Sequence, residues 1–404
     1  MKLIDGGVCA PTGFVANGMH CGIRKNKTRK DLALIVSEVP ARAAAVYTRN
    51  LVKGAPLVVT KDHLQDGMAR AIICNSGNAN TCNADGIEIA TAMSDVLAGE
   101  LGIASSDVIV ASTGVIGQPL PIEPIANAIP ELAAGLSHNG STLAAEAIMT
   151  TDTVSKEIAV EFEIDGKVCR IGGIAKGSGM IHPDMATMLV FLTTDVAISA
   201  DMLHKALSTD VQSSFNMLSV DGDTSTNDMV AIMANGQAGN PEITETGPAF
   251  TTFMNALNTV TVDLCRRLAG DGEGATKLLE CQVAGAKDLD NARKIAKSVI
   301  ASSLVKTAMF GADANWGRVL CAIGYSGAEV DVDGIDVAFR SPAGEVKVCE
   351  NGAGIGFDED LAKAVLSEEV IDILITARDG EAGCGAWGCD LTYDYVQING
   401  EYRT

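Results

Sequence analysis

The chain has 404 residues, of which 51 are acidic and 30 basic, giving a formal net charge of −21. That balance argues against nucleic acid and anionic membrane surfaces as partners, because polyanions are held by clustered Lys and Arg. Apolar types make up 47% and aromatics 4%, with 42 glycines; this excludes global disorder and predicts two lobes with aliphatic cores and many tight turns.

The first residues, MKLIDGGVCAPTGF, place Asp5 and Gly6–Gly7 where a signal peptide carries its apolar stretch, so they read as mature protein. Residues 69–74 and 107–111 read as buried strands, each followed by a turn rich in Gly, Asn or Ser. Helical periodicity covers 86–102 and 122–137, with Pro121 and Pro124 where a helix start tolerates proline. Residues 157–165 alternate apolar with polar, and Asp165–Gly166 signals a hairpin into 167–174. The run from Met188 to Leu192 reads as another buried strand. Helices are expected over 199–214, 252–268 and 289–305. In the last, Asp290 is the expected N-cap, and Ala292, Ile295, Val299 and Ile300 share one face. Residues 328–340 repeat the hairpin form with Asp333–Gly334 at the turn. The pattern predicts mixed αβ layers with antiparallel hairpins rather than a pure doubly wound sheet.

No apolar run approaches the ~20 residues of a membrane helix. Eleven scattered cysteines form no regular framework and fit a reducing cytoplasm. The five histidines lack the i, i+4 pairing of a zinc helix and no CxxC pair exists, so no metal is expected. GDGEGATK at 270–277 ends in Lys277 but fails the spacing of a phosphate loop; its one carboxylate, Glu273, could face a bound cation.

Two stretches could carry acyl-transfer chemistry. In GSGMIHPDMATMLVFLTTD (177–195), Thr187 stands where irregular chain meets an apolar strand. If the bond before it broke, an α-amine of reference pKa ~7.7–8.0 would lie beside a hydroxyl on one residue, so a free base would assist a weak nucleophile. The precursor could cut itself by the same attack, directed at the Ala186 carbonyl. In ASTGVIGQPLP (111–121), a strand ends in Ser112–Thr113–Gly114, a bend whose N–H groups and hydroxyl could hold one oxyanion. By spacing alone, both also read as an ordinary strand start and an ordinary turn.

These stretches resemble the ornithine acetyltransferase family. The resemblance rests on CNSGNANTCNADG (74–86), ASTGVIGQPLP (111–121), MTTDT (149–153), KGSGMIHPDMATML (176–189), DGDTSTND (221–228), GDGEGATK (270–277), GADANWGR (311–318) and WGCDLTYDYVQINGEYRT (387–404), in that order along the whole chain. It implies an αββα sandwich of the self-processing N-terminal-nucleophile-like type. It implies self-cleavage between Ala186 and Thr187, giving an α chain of 1–186 and a β chain of 187–404 that work as a dimer of αβ pairs. The implied reaction moves an acetyl group from N-acetyl-ornithine to glutamate in arginine biosynthesis. No cofactor is implied, though some members also accept acetyl-coenzyme A as donor. Thr187 would be the nucleophile, Thr113 and Gly114 the oxyanion site. Thr150, Lys176, Thr187, Glu273, Asn399 and Thr404 would contact substrate. Trp316 and Trp387 also fall in these blocks, where packing is their expected role. The rival readings are an aminopeptidase or amidase of the same architecture, and an acidic binding protein without catalysis.

Overall fold

Alternating β-branched stretches and small-residue helices build the elements, which we describe from a computed structural model covering residues 1–182 and 188–400. In chain order come β1 (Lys2–Ile4), β2 (Phe14–Met19), β3 (Leu32–Tyr47), α1 (Ala55–His63), β4 (Met68–Asn75), α2 (Gly86–Leu101) and β5 (Val108–Ser112). Next are α3 (Glu123–Ala134), α4 (Ser141–Ile148), β6 (Lys156–Ile164), β7 (Lys167–Lys176), β8 (Leu189–Thr194), α5 (Ala200–Asp210), β9 (Leu218–Ser219), β10 (Met229–Ala234) and α6 (Pro248–Gly270). The remainder holds β11 (Leu278–Ala286), α7 (Leu289–Ala301), α8 (Ser303–Phe310), α9 (Trp316–Gly324), β12 (Asp336–Ser341), β13 (Gly344–Glu350) and β14 (Ala353–Gly354). It closes with α10 (Glu359–Leu366), β15 (Val370–Thr376), β16 (Ala382–Cys389) and α11 (Tyr393–Gly400).

The described chain folds as two units, the first taking residues 1–177, 188–212 and 224–264, the second 178–182, 213–223 and 265–400. Each unit is a mixed sheet with helices against it, the mixed αβ class predicted above.

In the first unit a nine-stranded sheet runs β1-β6-β7-β8-β10-β3-β4-β5, with β2 also on β3. One face buries Ala16, Ala33, Ile35, Ala43, Ile174, Phe191 and Ala231 with the alanines of α4. The other buries Leu34, Ile73 and Val110 against Met93, Leu97, Ile129 and Leu132 of α2 and α3. Small side chains let helix and sheet approach closely, and each buried aliphatic contributes about 1.5–3 kcal/mol. Register places Lys176 of β7 opposite Leu189 of β8, and Leu189 beside Met229 of the parallel β10. The end of β7 and the start of β8 therefore lie at one point of the sheet.

In the second unit seven strands run β14-β13-β12-β15-β11-β16-β9. The apolar face of α7 is the predicted one: Ala292, Ile295, Val299 and Ile300 are all buried. Its N-cap is Asp288 instead of Asp290. The Asp288 side chain accepts from Asn291 N–H at 2.9 Å, while Asp290, within the first turn, pairs with Lys294 at 2.7 Å. The helix predicted over 289–305 ends at Ala301, because Ser302 turns extended and caps α8 by accepting from Val305 N–H. Asp333–Gly334 makes no hairpin. Asp331 accepts from Asp333 N–H to close a single 3-10 turn, and the hairpin instead joins β12 to β13 through residues 342–343.

Candidate active site

In the first unit β5 ends at Ser112, and the chain bends back over the turn that follows β4. Asn75 fixes this bend: its Nδ2 donates to Ser112 Oγ at 2.7 Å, and its Oδ1 accepts from the N–H groups of Gly77 and Asn78, both at 3.1 Å. Thr113 N–H donates to Asn75 O at 2.9 Å. Asn227 braces the far side, donating to Ala79 O at 2.6 Å and Ser112 O at 2.9 Å. Gly114 has φ +128°, and a Cβ there would stand 2.6 Å from Gly77 C and 2.7 Å from Asn78 N. Only glycine fits that position. Among the described residues neither the Thr113 hydroxyl nor the Gly114 N–H has a hydrogen-bond partner. Two preorganised, unengaged donors on adjacent residues are what an oxyanion requires.

Lys176, at the end of β7, is only 8% exposed, and its ammonium has no hydrogen-bond partner among the described residues. Its charge instead acts on two buried carboxylates. Asp152 accepts from Thr150 N–H at 2.9 Å, Lys156 Nζ at 2.7 Å and Gly177 N–H at 2.7 Å. Burial pushes the Asp152 carboxyl up, but the Lys156 and Lys176 charges and these hydrogen bonds outweigh it and hold it at about 2. Asp228 behaves in the opposite way. Burial drives it well above the usual carboxylate range, against the side-chain and backbone hydrogen bonds of Ser225 and the Lys176 charge. Its Oδ2 is buried without a hydrogen-bond partner among the described residues. The first unit thus frames Thr113 and Gly114 with Asn75 and Asn227, and sets Thr150 and Lys176 against Asp152 and Asp228. Asn75, Asp152, Asn227 and Asp228 were not singled out from sequence. Their signal is a density of Asn, Asp and Thr at the ends of otherwise apolar strands.

The second unit holds Glu273 and Asn399. Asn399 Nδ2 donates to Glu273 Oε2 at 2.7 Å, and Glu273 N–H donates to Ser178 O at 2.8 Å. A Cβ on Gly179 would lie 2.3 Å from Glu273 Oε2, so the backbone passes directly against this carboxylate. Lys277 is no phosphate ligand. It is buried and donates to Met309 O at 2.6 Å and Leu366 O at 2.7 Å, carbonyls in the last turns of α8 and α10. Burial lowers its pKa, with the Asp390 charge opposing. Trp387 is buried and donates to Glu280 Oε2 at 3.2 Å, and Trp316 packs on the backbone of Gly354. Ala186, Thr187 and Thr404 lie outside the described residues.

The sequence profile of the ArgJ family matches residues 15–404. The chain belongs to the ArgJ family. An arginine biosynthesis bifunctional protein ArgJ of Caldanaerobacter subterraneus subsp. tengcongensis is 51% identical over 405 residues, covering 100% of both chains. Its counterpart in Thermotoga neapolitana is 50% identical, covering 98% of this chain and 99% of its own. Among solved structures, ArgJ from Bacillus halodurans matches at TM-score 0.49 and 46% identity, over 52% of this chain and 97% of its own. Ornithine acetyltransferase of Mycobacterium tuberculosis, complexed with ornithine, matches at TM-score 0.43 and 38% identity, over 46% of this chain and 99% of its own.

Proposed function

We propose that this ArgJ-family chain is a glutamate N-acetyltransferase that moves the acetyl group of N2-acetyl-L-ornithine to L-glutamate through an ester on Thr187. The observation that carries the reading is the pair of donors at Thr113 and Gly114, unengaged among the described residues and held by Asn75 and Asn227. Self-cleavage between Ala186 and Thr187 frees the amine that serves as base. The Thr187 hydroxyl then attacks the acetyl carbonyl, its proton passes to that amine, and Thr113 Oγ–H and Gly114 N–H receive the oxyanion. The C–N bond breaks and the leaving ornithine amine takes the proton. Glutamate's amine attacks the acetyl-threonine ester and regenerates the hydroxyl. Two acyl transfers of ordinary difficulty replace one amide exchange.

Lys176 is the cation for a substrate carboxylate, and Glu273, held by Asn399, the anion for ornithine's terminal ammonium. Thr150 and Thr404 complete the substrate contacts. Acetyl-coenzyme A enters the same scheme as a second acetyl donor to Thr187. The working particle is a dimer of αβ pairs acting in the cytoplasm.

Acetyl release from N-acetyl-ornithine, measured with and without glutamate, tests this reading. A transferase forms N-acetyl-glutamate and depends on the acceptor; an amidase releases acetate at the same rate without it. Thr187→Ala should remain uncut and inactive, and normal turnover by that variant would refute the assignment.

A further inference from the structure

The second unit holds a carboxylate that the transfer chemistry does not use and whose hydrogen bonds grip the chain just upstream of the proposed scissile bond. Asp221 Oδ2 accepts from Met180 N–H at 2.6 Å, and its Oδ1 accepts from Ile181 N–H at 2.9 Å. The neighbouring Val220 N–H donates to Ile181 O at 2.7 Å, and His182 Nδ1 lies 3.0 Å from Ser219 Oγ. Residues 180–182 are thereby laid along 219–221. Tyr395 adds its hydroxyl, donating to Asp221 Oδ2 at 3.2 Å, and Asp223 N–H donates to Oδ1 at 3.2 Å.

The gripped backbone is unfavourable on its own. Met180 has φ +54°, a left-handed conformation that a long side chain adopts only when the surroundings impose it. Its side chain is exposed, so packing does not impose the conformation. The Asp221 carboxylate, taking N–H groups from both Met180 and Ile181, does. Downstream, Leu189 is fixed separately by its pairing with Lys176 and Met229.

We propose that Asp221 is a positioning residue for self-cleavage, anchoring the segment that leads to the Ala186–Thr187 bond. The inference rests on the self-processing reading above. In that step the Thr187 Oγ forms a bond to the Ala186 carbonyl carbon, the C–N bond breaks, and the hydroxyl proton passes to the freed amine. Water then hydrolyses the ester, leaving the Ala186 carboxylate and the Thr187 hydroxyl. An intramolecular attack of this kind depends on how tightly the peptide is held in reacting geometry. Asp221 acts through the Met180 and Ile181 amides.

The test follows the appearance of the 187–404 chain from freshly purified full-length precursor on a denaturing gel. Asp221→Asn keeps the shape but loses the charge and one acceptor; cleavage should slow about tenfold, equivalent to ~1.4 kcal/mol of barrier. Met180→Pro removes the donor from the other partner and cannot adopt a positive φ, and should slow cleavage similarly. Tyr395→Phe, which leaves both amide bonds in place, should cleave close to the wild-type rate. Transfer activity per mole of mature chain should match wild type in Asp221→Asn, and its unfolding midpoint should be unchanged. Normal cleavage in both Asp221→Asn and Met180→Pro overturns the proposal. So does slowed cleavage with an equal loss of activity per mature chain and a lowered midpoint, which marks a general structural role. A wild-type chain that never cleaves refutes the self-processing reading itself.

Discussion

The turn proposed to receive the oxyanion is specified by single residues. Gly114 has no room for a Cβ, and Thr113 spends its N–H on Asn75, its hydroxyl having no partner among the described residues. Thr113→Ala should therefore lower kcat by about 10²–10³-fold with little change in KM, as removing one oxyanion donor does; steady-state kinetics check this, and a change confined to KM would count against it. Two buried carboxylates nearby should titrate in opposite senses. Asp152 is held at about 2, below its ordinary value, so its contribution to stability is complete above pH ~4 and lost on acidification toward pH 2. Asp152→Asn leaves the buried Lys156 without its carboxylate and should cost about 3–5 kcal/mol at pH 7, while removing that part of the acid transition in urea titrations. Asp228 is raised, so its neutral form is the one the fold favours. Its contribution is complete below pH ~4 and declines as pH rises toward its folded pKa. Asp228→Asn should then raise the melting temperature at pH 8 and leave it unchanged at pH 4; a lowered value at pH 8 would mean the group is ionised there.

At the scale of elements, periodicity was a good guide to faces and a poor one to ends. The buried stripe of α7 is the predicted one, because 3.6-residue spacing is set by the chain itself. Its cap was misplaced by two residues, since two aspartates both suit the N-cap and only hydrogen-bond geometry chooses between them. β3 was missed. It runs sixteen residues with Pro40 inside, and the pairing with β4 shifts register between Val36 and Ala41, so the proline falls at an irregularity that sequence does not announce. The glycine-rich 270–277 loop shows its purpose only through distant partners. Asp390 accepts from the N–H groups of Thr276 and Lys277, and Lys277 caps α8 and α10. Lys277→Met leaves those carbonyls unpaired and should lower stability by about 1–3 kcal/mol in thermal melts; an unchanged midpoint would show that water replaces the ammonium.

Across the whole molecule, the division into two units of mixed αβ architecture followed from length and from the switching of periods between 2 and 3.6. The proposed site residues come from resemblance more than from physics. Thr113, Gly114 and Glu273 each had an ordinary reading as turn, turn and loop, and Lys176 came from the resemblance alone. The frame around them was not legible, because Asn75 meets Ser112, Asp152 meets Gly177, and Asn227 meets Ala79 only after the chain has folded. Family membership over 15–404 makes the acetyltransferase reading coherent from one end of the chain to the other.

The claim that Thr187 carries the acetyl group is tested most directly by denaturing mass spectrometry of the purified protein mixed with N-acetyl-ornithine and no glutamate. The expected result is a separate chain beginning at Thr187 and heavier by one acetyl group on that residue, with the added mass lost when glutamate is supplied. An intact 404-residue chain, or a mature chain that turns over substrate yet never gains the acetyl mass, would contradict it.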